Sequence, residues 1–238
     1  MKAMQSLAHM TPIRRLLVIN PNINPAVTAR VRCVADAIVG PRTSVTVVNP
    51  IKGPFSIETP EDRDAAVPEV LDLVGTTLHH LPDACVFACF DDIALFETRA
   101  MTRIPVVGTC EAGIAATRTI ADRFSILTTV HSAVPGIHRL LARYGAADIC
   151  TVRAAGIGVA EAAGQSDDAE KRILVTIEQA IERDGAQAIL LGSGGLTGMA
   201  AKLERHFSIP VIDGVAAAIK MAEGLAHLRM QPGQPQPD

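Results

Sequence analysis

The stretch Val86–Leu95, VFACFDDIAL, ends an apolar run at Cys89 and follows it with two acids where a helix should begin. A cysteine there stands at a strand end facing a crevice, with backbone N–H groups just beyond it. A thiol in that setting suits acid–base work, because its ordinary pKa of roughly 8.5 lies near neutrality and a helix N-terminus can lower it. A second stretch, Ala188–Met199 (AILLGSGGLTGM), repeats the arrangement with Ser193 in the thiol's place. Serine is a far weaker acid and needs a strong neighbouring base before it can act. No histidine stands close to Ser193 in sequence.

Other polar residues near these stretches have simpler readings. Asp91 and Asp92 read as the N-cap and first turn of a helix over Asp92–Thr102. A carboxylate beside the thiol would oppose thiolate formation. Glu111 opens a helix, and Cys33, Cys85, Cys110 and Cys150 read as packing residues. His131 reads as a loop or capping residue beyond the turn at Thr128 and Thr129. His79 and His80 end a helix near its negative pole. Phe55 sits on a loop shaped by two prolines and a glycine, where it either plugs a local core or lids an apolar pocket.

The elements that must position Cys89 and Ser193 alternate along the chain. Strands are expected at Arg14–Ile19, Ser44–Val48, Ala84–Ala88 and Ile104–Gly108, then at Phe124–Leu127, Ile149–Arg153, Ala188–Leu191 and Ile209–Ile212. Between them, helices are expected over Ala26–Val39 behind an Asn24 cap, and over Glu61–His80 with an interruption near Pro68. Others follow over Val134–Tyr144, Asp167–Asp184, Thr197–His206 and Gly214–Leu228. Strand and helix in alternation predict an α/β fold with parallel sheets.

The two halves can be laid on each other. Arg14-Arg15 plus LLVIN matches Arg123-Phe124 plus SILTT at an offset of 109, and the segment around Pro105 matches that around Pro210 at 105. Cys89 precedes Pro105 by 16 residues and Ser193 precedes Pro210 by 17. The pattern predicts two pseudosymmetric lobes with Cys89 and Ser193 on opposite sides of one crevice. One lobe is expected over 13–115 plus 213–228 and the other over 116–212, with flexible termini at 1–12 and 229–238.

Bulk properties narrow the class. The 238 residues carry 22 Lys and Arg against 25 Asp and Glu, a net charge of −3, so no basic footprint for nucleic acid is present. Aromatics at 3% leave no base-stacking platform. No apolar stretch approaches the roughly 20 residues of a membrane span, and the first residues lack a signal-peptide core. A cytoplasmic location with reduced cysteines follows as the expectation. Cys85 and Cys89 are four apart, but no His/Cys cluster completes a metal site.

The sequence resembles the Asp/Glu/hydantoin racemase superfamily, and most closely its hydantoin and allantoin racemase branch. The fragments that carry this are INPN at 19–22, GPFSIE at 53–58, CFDD at 89–92 and PVVGTCEA at 105–112. In the second half they are TTVHSAVP at 128–135, RYG at 143–145, LGSGGLTGM at 191–199 and PVIDGVAAA at 210–218. The resemblance implies two flavodoxin-like lobes, no cofactor, a homo-oligomer, and two cysteines on opposite faces of a small substrate. Cys89 matches the first cysteine, and the second falls at Ser193, where this sequence departs from the pattern. Substrate binding would carry over to Asn20 and Asn22 in the first turn, to Phe90 and Asp91, to Gly194 and Gly195, and to Thr128 and Thr129, with Phe55 as the candidate lid.

Racemisation at carbon requires a proton removed on one face and another delivered on the opposite face, which two thiols on facing lobes supply. With serine at 193 three readings stand open. The chain is an engineered Cys→Ser form, a natural form with weakened or one-sided proton transfer, or a lobe that binds without racemising. The competing functions are a one-thiol decarboxylase of the same superfamily and a non-catalytic two-lobed binder of small ligands.

Overall fold

The computed structural model describes residues 14–164 and 166–228. The flexible termini expected at 1–12 and 229–238 lie outside the described residues.

Among the described residues, eight strands form two four-stranded parallel sheets. The first contains β1 (Arg14–Ile19), β2 (Thr43–Val48), β3 (Ala84–Phe87) and β4 (Val106–Gly108) in the order β2-β1-β3-β4. The second contains β5 (Phe124–Thr128), β6 (Cys150–Ala154), β7 (Ala188–Leu191) and β8 (Val211–Asp213) in the order β6-β5-β7-β8. The two orders are the same, so the expected duplication is a duplication of topology. The short apolar runs of β1, β3, β5 and β7 are buried over nearly their whole length, as central parallel strands with helices on both faces must be.

Nine α-helices are found among the described residues. They are α1 (Pro25–Ile38), α2 (Pro60–Thr77), α3 (Leu95–Met101), α4 (Thr109–Thr117), α5 (Val134–Arg143), α6 (Val159–Gly164), α7 (Asp167–Asp184), α8 (Ala200–Phe207) and α9 (Gly214–Leu228). Local chemistry explains several ends. Asn24 caps α1 by accepting from Ala26 N at 2.9 Å, with Pro25 in the first turn. Thr59 and Asp62 form a capping box on α2. Ser166 opens α7, and Gly185 closes it at φ 67°.

Three expectations are corrected. Pro68 does not interrupt α2: it lies on the exposed side, where the carbonyl it leaves unpaired can meet water. The helix after Cys89 begins at Leu95 rather than Asp92, because Asp92 and Ala94 adopt left-handed φ values of 49° and 58°. The helix after Ser193 begins at Ala200, behind a short 3-10 turn at Gly194–Leu196.

The lobes also exchange helices. From α9, Val215, Ala218, Ile219, Ala222 and Ala226 pack with Leu16, Val18, Val86 and Val107 of the first sheet. From α4, Cys110 and Ile114 pack with Phe124, Ile126, Ala188 and Leu190 of the second. The expected boundary at residue 115 would keep α4 with the first lobe. Its Cys110 and Ile114 pack in the second lobe's core and its Ala112 in the first, where α9 also lies.

Candidate active site

The sheet registers align the two halves residue by residue. Ile19 pairs with Phe87 and Phe87 with Gly108 in the first sheet; Leu127 pairs with Leu191 and Leu191 with Asp213 in the second. Cys89 and Ser193 each stand two residues past the last paired residue of their strand. The one-residue ambiguity of the sequence alignment disappears. By the same register Asn20 corresponds to Thr128, and Asn22 to Val130 rather than to His131.

Both positions line one cleft. Asn22, Phe90, Asp91, Thr128, Thr129 and Gly194 line it with them. Ile57, Ala88, Val130, Ala133, Ile137, Val159 and Gly192 complete the wall. The cleft lies beyond the carboxyl ends of both sheets, where open parallel sheets bind their ligands.

Three expected binding residues stand elsewhere. Asn20 is fully buried behind the first turn, where its amide donates to Asn22 Oδ1 at 3.0 Å and Thr28 Oγ1 at 2.9 Å. It shapes Asn22, whose oxygen also accepts from Asn24 N at 3.0 Å, leaving the Asn22 amide donors for the cleft. Gly195 is buried behind the lining, and a Cβ there would lie 2.6 Å from Val159 O. Phe55 is 54% exposed and does not line the cleft; Ile57, two residues on, turns inward instead. His131 is exposed and likewise outside the lining.

The two equivalent positions are built alike. Gly195 N–H reaches Ser193 Oγ at 3.3 Å, and Asp91 N–H bonds the Cys89 sulfur, so each side chain faces the N–H two residues on. Their electrostatics differ. Burial pushes the Cys89 thiol well above the ordinary range, and the Asp91 and Asp92 carboxylates add to it, against Asp91 N–H and Arg63. At neutral pH Cys89 is therefore a thiol. Ser193 Oγ lies 3.1 Å from Thr129 Oγ1, a hydroxyl pair with no base attached.

The acids after Cys89 cap no helix of their own. Asp91 Oδ1 lies 3.2 Å from Arg63 Nη2 of α2; burial raises this carboxyl while Arg63 opposes the rise. Asp92 turns away from the cleft and accepts from Cys110 N, Glu111 N and the Tyr144 hydroxyl. The requirement lies across the fold in α4 and α5, which the local spacing of two acids cannot reveal.

Sequence reading also missed α6. Its Val159 is held at the cleft by Glu58, whose Oε1 accepts Val159 N–H at 2.8 Å. The Glu58 carbonyl accepts the Ser132 hydroxyl at 2.5 Å, so the loop before α2 clasps the second lobe twice. The GPFSIE fragment contains this glutamate, but its partner lies 101 residues away.

The fold and cleft define a class: two-lobed α/β proteins in which equivalent strands of the two sheets end at one shared cleft. Residues 16–222 match the profile of the Asp/Glu/hydantoin racemase family, and the chain belongs to that family. A hydantoin racemase of Rhizobium meliloti is 39% identical over 209 residues, covering 87% of each protein. Allantoin racemase from Klebsiella pneumoniae shares the fold at a TM-score of 0.87 with 35% identity, over 90% of this chain and 88% of that one. Allantoin racemase from Pseudomonas fluorescens does so at 0.86 with 29% identity, over 94% and 98%.

Proposed function

We propose that the protein is a cofactor-independent racemase of 5-substituted hydantoins or of allantoin, moving a proton at carbon between Cys89 and the position of Ser193. The observation that supports this is the shared register: Cys89 and Ser193 end equivalent strands of opposite lobes and line one cleft. The names of the hydantoin and allantoin racemases similar to this chain support the substrate class. The C5–H of a hydantoin adjoins a carbonyl, so its removal gives an enolate-like anion that N–H and O–H donors stabilise. Thr129, Ser193 and the Asn22 amide are such donors in the cleft lining. The same reading carries a cytoplasmic homo-oligomer, which light scattering on the purified protein tests for assembly.

Serine at 193 makes the two faces unequal. Cys89 holds a proton to deliver on its face, whereas Ser193 provides a hydroxyl without a base. That protonated thiol favours a second reading, in which Cys89 protonates a carbanion generated by loss of a substrate carboxylate.

Single enantiomers of allantoin and of benzyl- and isopropylhydantoin, incubated in deuterated water, separate these readings. Deuterium at C5 with falling optical rotation supports the racemase. Exchange with retained rotation assigns one-face transfer to Cys89. Absence of both, with ligand still protecting Cys89 from iodoacetamide, leaves a binder and sinks the racemase.

A further inference from the structure

The two sheets share one register, yet the helix after each last strand is capped by a different route. In the second lobe Asp213, at the end of β8, accepts Val215 N–H at 2.9 Å and Ala216 N–H at 3.2 Å. The equivalent residue in the first lobe is Gly108, which has no side chain to offer. The corresponding N–H groups, of Cys110 and Glu111, are taken by Asp92 at 2.9 and 3.2 Å. A Cβ at Gly108 would lie 2.4 Å from Asp92 Oδ1, so the two arrangements exclude each other. The capping carboxylate has moved from the strand to the loop that carries Cys89.

That move ties the loop down. Asp92 and Ala94 hold left-handed backbone angles that cost energy for residues with side chains, so the shape needs outside support. Asp92 supplies it through α4, and its Oδ2 also accepts the Tyr144 hydroxyl at 2.7 Å. Tyr144 follows α5 of the second lobe. One carboxylate thus joins the Cys89 loop to both lobes. The titratable groups around it are Cys110 and Glu111 on α4, Tyr144 after α5, and Cys89 and Asp91 on its own loop; Glu111 is paired in turn with Arg99 of α3. Burial raises the Asp92 carboxyl to about 7 against its donors, and its charge is one of those that push the Cys89 thiol up.

We propose that Asp92, held by the Tyr144 hydroxyl, is the positioning residue of this site: it pins the Cys89 loop to the opposite lobe. The proposal rests on Cys89 being the reacting thiol, but its test reads the thiol itself. Alkylation of Cys89 by iodoacetamide is followed by mass spectrometry of its peptide from pH 6 to pH 10. The unaltered chain is compared with Tyr144→Phe and with the double variant Asp92→Gly/Gly108→Asp. The double variant moves the carboxylate to where the second lobe keeps it, restoring the α4 cap but freeing the loop.

In both variants Cys89 should react at least about fivefold faster at pH 8, because its loop loses a tie to the opposite lobe and the sulfur opens to the reagent. The double variant should keep its melting temperature within a few degrees. A Tyr144→Phe profile identical to the parent overturns the proposal. So does a stable double variant whose Cys89 behaves as in the parent, since Asp92 is then a helix cap and no more. If the double variant does not fold, Tyr144→Phe decides alone. Substrate exchange plays no part in the readout, so failure of the racemase reading would register separately.

Discussion

Replacing Ser193 by cysteine is the perturbation that bears most directly on turnover. The side chain faces the cleft, is only part-buried, and meets Gly195 N–H at 3.3 Å and Thr129 Oγ1 at 3.1 Å. A sulfur needs a few tenths of an ångström more than the oxygen, and the open side of the cleft accommodates it. The same two donors favour a thiolate, and neither Asp91 nor Asp92 has a counterpart in Gly195 or Leu196 beside it. The new thiol should therefore be more acidic than Cys89, giving the site one thiolate and one thiol. Positioned acid–base groups contribute about 10²–10⁴ in rate, or roughly 3–5 kcal/mol of barrier. Ser193→Cys should thus raise the racemisation rate of a hydantoin or allantoin by at least about 10². Polarimetry in deuterated water, with NMR at C5, measures loss of chirality and exchange together. The reasoning is refuted if Ser193→Cys leaves the rate unchanged while Cys89 remains open to alkylation.

Three further outcomes follow from particular contacts. Glu58→Ala removes the clasp on Val159 and should raise KM about tenfold with a smaller change in kcat, since a cleft wall is loosened and no reacting atom is touched; steady-state kinetics in the Ser193→Cys background check this. Glu223 accepts from Lys220, Thr43 and Gly40 N, which outweigh burial and hold its carboxyl down at about 2. Glu223→Gln should cost about 1.5–3 kcal/mol in urea unfolding at pH 7. Because the folded pKa is depressed from 4.5, this contribution is present above about pH 4.5 and lost toward pH 2, so variant and parent should converge on acidification. Gly108→Ala forces a Cβ to 2.4 Å from Asp92 Oδ1 and should lower stability by about 1–3 kcal/mol, read as a fall in melting temperature.

What the sequence made legible was local. Strand ends at Cys89 and Ser193 follow from apolar runs meeting polar or glycine-rich turns. The helices Asp167–Asp184 and Gly214–Leu228 match the expected spans, α7 between its serine and glycine caps. The duplication was visible because both halves keep the strand–site–helix–strand order. The failures share one cause, which is demand from distant residues. Asp92 sits as a helix opener would, but its oxygens go to α4 and Tyr144. The six-residue α6 carries too short a pattern to be seen, and it is pinned by Glu58 from the other lobe. Phe55 and Ile57 are both apolar on one loop, and only the fold decides that Ile57 faces inward. Asn20 and Asn22 are alike in the INPN turn, yet one is scaffold and the other lining.

The exchange of α4 and α9 has a consequence for how the chain is made. The sheet assembled from residues 14–108 receives its cover from residues 214–228, which leave the ribosome only after every strand of the second lobe. Leu16, Val18 and Val86 thus stay partly uncovered through most of synthesis, a period in which bare apolar sheet surface invites aggregation. The first lobe's core is thus closed by a helix made last, and the cleft that holds Cys89 and Ser193 takes its walls from both lobes.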